Sequence, residues 1–269
     1  MNPDLPAIGT IHGIAFAGAD ARRFAQAQFS GDVEALRPGH WQWNAWLTAQ
    51  GRVRALMHLA DLDDGRLLAV LRGGDAETIR TALGQYRFRL RVHLAIESFA
   101  AWRGTPMPMG GAVQQDSVVV LGYGTRSLRL GPLPAAFSPD PDAQREWRLG
   151  EIRRGWPTLT RGEPEFLPPA LGLDRLGAIA FDKGCYPGQE IAARLHYRGG
   201  HKRQLGRLRG RAPLPVGEIR DDAGAVAARV LDTVAAGDGF EALAVLQTEA
   251  SGKINLLGNI YEVESNFDP

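Results

Sequence analysis

Cysteine is nearly absent: Cys185 is the only one in 269 residues. That excludes an internal disulfide framework and a metal site built on paired thiolates, and it suits a reducing compartment, so a cytoplasmic location is expected. No uninterrupted apolar run is long enough to span a bilayer. The first residues, MNPDLPAIGTIHGIAFAGAD, lack a basic region followed by an apolar stretch, so neither export nor membrane insertion is expected. A charge excess is missing too: 31 Lys and Arg against 30 Asp and Glu leave a net +1, which argues against a dedicated nucleic-acid binder. No internal repeat is visible.

What is present reads as a folded protein. The hydrophobic fraction of 44% is ordinary for a soluble globular chain, and 33 glycines with 17 prolines point to many turns. The segment 8–20 reads as a short strand and turn, with Asp20 placed to cap a helix starting at Ala21. HWQWNAWLT and GRVRALMHLADL, joined at Gln50 and Gly51, read as a hairpin over residues 40–62. Trp41, Trp43 and Trp46 on its first strand suit core packing better than a ligand clamp. RLLAVL follows, then a helix near Asp75–Tyr86 with Asp75 as its cap. In RFRLRVHLAIES, Phe88, Leu90, Val92, Leu94 and Ile96 alternate with polar residues, the period of a half-buried strand.

The segment GTPMPMGGAV interrupts this pattern and marks the first candidate boundary. Strands at SVVVLG and RSLRL and a helix over Ala143–Arg154 come next, then the proline-rich loop GWPTLTRGEPEFLPPALGLD. Past Leu205 short apolar strands broken by Gly, Pro and Asp read as a small all-β domain. The expected organisation is α+β, with N-terminal modules over 1–110, a middle module over 111–203 and a C-terminal β-barrel over 204–269, the first two free to interleave in sequence.

Cys185 sits in DKGCYPGQE. With Pro187 as the first helical residue, GQEIAARLHYR continues as a helix carrying Ile191 and Leu195 on one face, and the thiol falls just before a helix N-terminus. Unpaired amides, the helix dipole and the neighbouring Lys183 all favour a thiolate there. A lone cysteine is more often an inert, buried side chain, but these neighbours are not aliphatic. From Arg194 to Arg211 seven cations (Arg194, Arg198, Lys202, Arg203, Arg207, Arg209, Arg211) occur without an acid. They either meet an anion or form a solvated face whose carboxylates come from elsewhere in the chain. His196 and His201 lack a third ligand in phase, so no metal site is expected.

The stretch EFLPPALGLDRLGAIAFDKGCYPGQEIAARLHYRGGHKRQL resembles the signature of the YgfZ-type folate-binding proteins, K-G-C-Y-x-G-Q-E followed by A-R, R-G and K-R. Lys183, Gly184, Cys185, Tyr186, Gly188, Gln189 and Glu190 fill the core, with Ala193-Arg194, Arg198-Gly199 and Lys202-Arg203 after them. GADARRFAQAQFSGDV, the turn QGRV, and Trp147 with Ile152, Gly155 and Pro157 resemble the family more weakly. Pro169 and Gly172 stand where the family usually carries amide side chains.

The resemblance implies a fold like the aminomethyltransferase (T-protein) of the glycine cleavage system: three modules around a central hole that accepts tetrahydrofolate, the last a small β-barrel. It also implies a role in assembling or repairing iron–sulfur clusters of client enzymes, including tRNA thiomethyltransferases. Cys185 would be the working thiol and Trp147 a folate contact, with Lys183, Gly184, Tyr186, Gly188, Gln189, Glu190, Arg194, Arg198, Lys202 and Arg203 around the ligand. Two other functions remain open: a folate-dependent one-carbon transferase with Glu190 as the nearest acid or base, and an RNA-binding protein using the cationic stripe and Tyr197. Direct nucleic-acid binding is the less expected of these, on net charge.

Overall fold

A computed structural model of the chain describes residues 5–62, 65–159, 166–221, 223–247 and 252–267. Residues 160–165 of the proline-rich loop therefore lie outside the described part. The N-terminal elements are β1 (Ala7–Ala17), α1 (Ala21–Gln28), β2 (His40–Leu47), β3 (Val53–Asp61), β4 (Leu67–Leu71), α2 (Ala76–Gly84) and β5 (His93–Gly104). Three short strands follow, β6 (Ala112–Gln115), β7 (Val118–Gly122) and β8 (Ser127–Pro132), and then α3 (Pro141–Arg153) and α4 (Gln189–Arg198). The chain closes with β9 (Arg203–Gly210), β10 (Gly217–Arg220), β11 (Val226–Ala236), β12 (Gly239–Gln247), β13 (Gly252–Leu256) and β14 (Asn259–Glu264).

The first eight strands form one sheet in the order β2-β3-β4-β1-β5-β8-β7-β6, and the last six form another, β10-β11-β12-β9-β14-β13. Every strand pairing given by the registers is antiparallel, so hairpins and meanders join most neighbours. The strands on either side of residues 104–113 belong to the same sheet, because β5 pairs with β8. The fold is thus α+β and dominated by strands.

Burial explains the long apolar runs read in the sequence. One face of the first sheet packs under α1 and α2, where Phe16, Phe24, Phe29, Trp46, Met57 and Leu83 are buried together. Its other face, through Trp41, Trp43, Leu56 and Leu68, shares a core with α3, with residues 166–192 and with Leu231 and Leu243 of the second sheet. A strand covered on both faces has no polar side to alternate with, which is why LLAVL reads as an unbroken apolar run. Leu208, Ala244 and Tyr261 form a third core on the far face of the second sheet.

The hairpin at 40–62 forms as expected, with His40 paired to Asp61 and Trp46 to Ala55. Its turn is closed by the Thr48 amide donating to the Arg52 carbonyl at 2.8 Å, with Gly51 at φ 74°. Asp75 caps α2 by accepting from the Thr78 amide at 2.9 Å. Asp140, with Pro141 behind it, starts α3 two residues before the expected Ala143.

Three local readings are overturned: the strand over 87–96, the Asp20 cap of α1 and Pro187 as a helical residue. The alternating run at 87–96 becomes a strand only from His93; Phe88 is 78% exposed and Arg89 has φ 59°. Asp20 accounts for the break. Its amide donates to the Arg91 carbonyl (3.2 Å) and its carboxylate accepts from the Arg91 amide (2.8 Å), so the chain before β5 is held in a loop and the carboxylate leaves α1 uncapped. Pro187 is not helical either: Gly188 follows it in the left-handed region at φ 76°, and α4 begins at Gln189.

Candidate functional site

Cys185 is exposed and unbonded to another cysteine. Its loop is nevertheless held at three points. The Lys183 ammonium donates to the carbonyls of Phe29 (2.8 Å) and Gly31 (2.7 Å), just past the end of α1. The buried Tyr186 hydroxyl donates to the Ala180 carbonyl at 3.0 Å, and Gln189 Nε2 donates to the Lys183 carbonyl at 3.2 Å. Burial lowers the Lys183 pKa to about 8, partly offset by the charges of Asp32 and Glu34. Burial, helped by Asp174, raises the Tyr186 hydroxyl to about 12. The Lys183 ammonium also lies 5.2 Å from the Tyr186 ring centroid.

The glycines of the motif differ in their reasons for being there. A Cβ on Gly184 would meet nothing within 4 Å, which leaves the backbone beside the thiol uncovered. A Cβ on Gly188 would come within 2.5 Å of the Thr48 carbonyl and 2.8 Å of Gly51 Cα. Gly51 in turn packs on Ile191 of α4, so the QGRV turn and the cysteine loop are two halves of one tight contact.

The other motif residues spread outward. Glu190 lies exposed in the first turn of α4, Arg194 and Arg198 project from the helix into solvent, Lys202 lies in the exposed link, and Arg203 opens β9. The cationic stripe is divided. Arg207 pairs with Glu241 (2.8 Å) and Glu264 (3.1 Å), and Arg209 with Glu264 (3.2 Å), so partner carboxylates do come from elsewhere in the chain for these two. His196 stacks on Phe181 at 4.2 Å and faces Asp174 at 3.5 Å.

Trp147 stands apart from this loop. It lines a cavity of about 440 Å³ between β1, the Leu71–Gly74 turn, α3 and the second sheet, with Gln144, Arg148, Glu151, Trp156 and Asp232 among its walls. No residue of 183–203 lines it, so Cys185 and this cavity are separate features. Trp147 is 7% exposed, and the Arg126 guanidinium covers one indole face at 3.9 Å.

Behind the indole lies a buried charge centre that sequence reading missed. Glu151 is held between Arg72, 2.5 Å away, and Arg126. Burial lowers the Arg126 pKa, opposed by Glu151. Beside it His58 is wholly buried among Trp41, Trp43, Tyr123 and Trp156, its Nδ1 2.7 Å from the Tyr123 hydroxyl. Burial holds His58 well below the usual imidazole pKa, so it is neutral, and the Arg72 charge adds to that effect. The signal that could have found Glu151 is local: it follows Trp147 by four residues, which puts a carboxylate on the buried face of α3.

No family model matches the chain. The tRNA-modifying protein YgfZ of Cronobacter sakazakii is 37% identical over 75% of this chain and 70% of its own length. That of Yersinia enterocolitica is 28% identical over 74% of this chain and 68% of its own. Among solved structures, the glycine cleavage system aminomethyltransferase T of Bartonella henselae superposes with a TM-score of 0.73, over 97% of this chain and 84% of that one, at 17% identity. That likeness establishes the shared fold, and the match to the Cronobacter protein, with the cysteine motif intact, establishes that the chain belongs to the YgfZ family.

Proposed function

We propose that this protein is a tetrahydrofolate-binding accessory factor, acting in the cytoplasm, that supports assembly or repair of iron–sulfur clusters in client enzymes such as tRNA thiomethyltransferases, with Cys185 as the working thiol. The observation that carries this reading is the presentation of Cys185. An exposed thiol sits on a loop whose neighbours Lys183, Tyr186 and Gln189 are each fixed by hydrogen bonds to backbone carbonyls. An inert cysteine would be buried; this one is solvent-facing on an immobilised support, which suits transient ligation of a cluster or exchange of sulfur with a partner.

The cavity beside Trp147 fits a reduced pterin. Its volume lies within the usual small-ligand range, an indole forms one wall, and Gln144, Arg72, Arg148 and Glu151 bring polar groups of both signs to it. In this reading Trp147 packs against the pterin and the buried Arg72–Glu151–Arg126 centre holds the wall rigid, while Arg148 is itself held by Asp232 and the Thr233 carbonyl of the second sheet. Bound tetrahydrofolate supplies the reduced-pterin chemistry; the chain's own residues bind and orient it and keep water from it. Since the cavity and the thiol are separate, folate acts on the folded state or on the partner complex rather than at Cys185.

Calorimetric titration with tetrahydrofolate tests the folate half of the proposal. Wild type and Cys185→Ala are expected to bind alike, and Trp147→Ala at least tenfold more weakly. No detectable heat from wild type at millimolar ligand would remove folate from the account.

A further inference from the structure

The loop between α2 and β5 carries a second surface feature that neither the folate cavity nor Cys185 uses. Between Glu77 and Glu97 the chain has no acidic residue but contains Arg80, Arg87, Arg89 and Arg91. Arg80 pairs with Glu77, and Arg91 faces Asp20 at 3.6 Å. Arg87 and Arg89, together with Arg54 on β3, form no ion pair among the described residues. Two of these three lie instead over aromatic rings: the Arg89 guanidinium is 5.0 Å from the Phe88 ring centroid, and that of Arg54 is 4.8 Å from Trp46.

The aromatic rings are exposed where a monomer gains nothing by exposing them. Phe88 is 78% exposed and Tyr86 46%, and Tyr86 meets the Trp46 indole edge-on at 6.1 Å. Arg89 holds φ 59°, a conformation disfavoured for a side chain with a Cβ, and it turns the loop so that residues 86–89 all face solvent. Phe29 connects this surface to the cysteine loop, since its carbonyl accepts from Lys183 and its backbone bridges Trp46.

We propose that Arg54, Tyr86, Arg87, Phe88 and Arg89 form a docking surface for single-stranded RNA. Guanidinium groups without a carboxylate partner, Arg87 among them although its Nε donates to the Gly84 carbonyl at 3.4 Å, alternate with exposed rings and match a strand that alternates phosphates with flat bases: the phosphates neutralise Arg54, Arg87 and Arg89, and an unstacked base lies on Phe88. An acidic polypeptide would satisfy the cations and leave Phe88 and Tyr86 without a flat partner. The net charge of +1 is no obstacle, because the field near a surface is set by local groups over about a Debye length of 8–10 Å.

The test is fluorescence anisotropy of a labelled, mixed-sequence single-stranded RNA of about 12 nucleotides, titrated with the full chain over a range of salt. Wild type is expected to bind with log K falling linearly against log salt. Arg87→Glu with Arg89→Glu is expected to weaken binding more than tenfold and to reduce the slope by about 1.4, at ~0.7 per phosphate on a single strand. Phe88→Ala is expected to lose about five- to 100-fold in affinity with the slope unchanged. Lys253→Glu, on the second sheet, is expected to bind as wild type, and all variants should retain wild-type near-UV circular dichroism and tetrahydrofolate affinity. Absence of RNA binding by wild type at about 50 mM salt overturns the proposal, as does wild-type RNA affinity in the loop variants. Variants that lose affinity for polyglutamate but keep it for RNA overturn it in favour of an acidic protein partner.

Discussion

The ammonium of Lys183 lies 2.8 Å from the carbonyl oxygen of Phe29, and through this bond the loop carrying Cys185 is fastened to the end of α1, more than 150 residues earlier in the chain. A second bond to Gly31 at 2.7 Å makes the attachment bidentate. The lysine of the motif is therefore a tether for the cysteine loop.

Replacing Lys183 with Met removes both bonds and leaves two carbonyls short of a donor, at a cost of about 1–3 kcal/mol in urea unfolding. The pH dependence should change as well. Because burial lowers its folded pKa to about 8, Lys183 binds fewer protons in the native than in the unfolded state between there and its ordinary value of 10.5. Wild-type stability should therefore rise relative to Lys183→Met as pH increases through that window. A constant difference between the two proteins across that range would show that Lys183 is not titrating from a buried position.

Gly188→Ala places a methyl group 2.5 Å from the Thr48 carbonyl at a residue with φ 76°. Strain and displacement of the 48–51 turn should destabilise the protein by about 1–3 kcal/mol and loosen the cysteine loop. Faster reaction of Cys185 with an aromatic disulfide reagent would report that loosening. Gly184→Ala, where an added Cβ meets nothing, should alter stability far less.

Glu151 is the shared counter-ion of two buried arginines, so Glu151→Ala strands both charges and should cost about 3–5 kcal/mol, read from the denaturant midpoint. Glu151→Gln keeps the shape and part of the hydrogen bonding and should cost less. Equal stability of wild type and Glu151→Ala would mean that the centre is hydrated and does not stiffen the Trp147 wall.

His58 gives an acid-side test. Its folded pKa lies well below 6.5, so as pH falls below that value the unfolded state takes up a proton that the native state refuses. Stability should decline with a slope approaching about 1.4 kcal/mol per pH unit from this group, and His58→Gln should remove that share. Parallel curves for the two proteins would refute the assignment.

Much of the fold could be read in the sequence because its signals are local. The 40–62 hairpin is marked by its turn and α2 by Asp75, and a helix is read over Ala143–Arg154 without the Asp140 cap that starts α3 two residues earlier. What escaped reading depends on distant contacts. The 87–92 run has a strand's period, but Asp20, some 70 residues away, holds it as a loop. The first residue of α4 was misplaced because Gly188 must fit against the 48–51 turn. For the candidate site, the cysteine motif was legible residue by residue, whereas the Arg72–Glu151–Arg126 centre draws on three separate segments and has no contiguous signature. The stripe at 194–211 is uniform in sequence, yet Glu241 and Glu264 neutralise Arg207 and Arg209 within it.

Whether Cys185 works on clusters is read most directly by expressing Cys185→Ala in cells that lack the protein and measuring thiomethylated nucleosides in their tRNA by mass spectrometry. Thiomethylation is expected at the level of the empty vector, with the variant present at wild-type abundance and binding tetrahydrofolate as wild type does. Thiomethylation restored to the wild-type level would contradict that role and return Cys185 to the status of an ordinary surface residue.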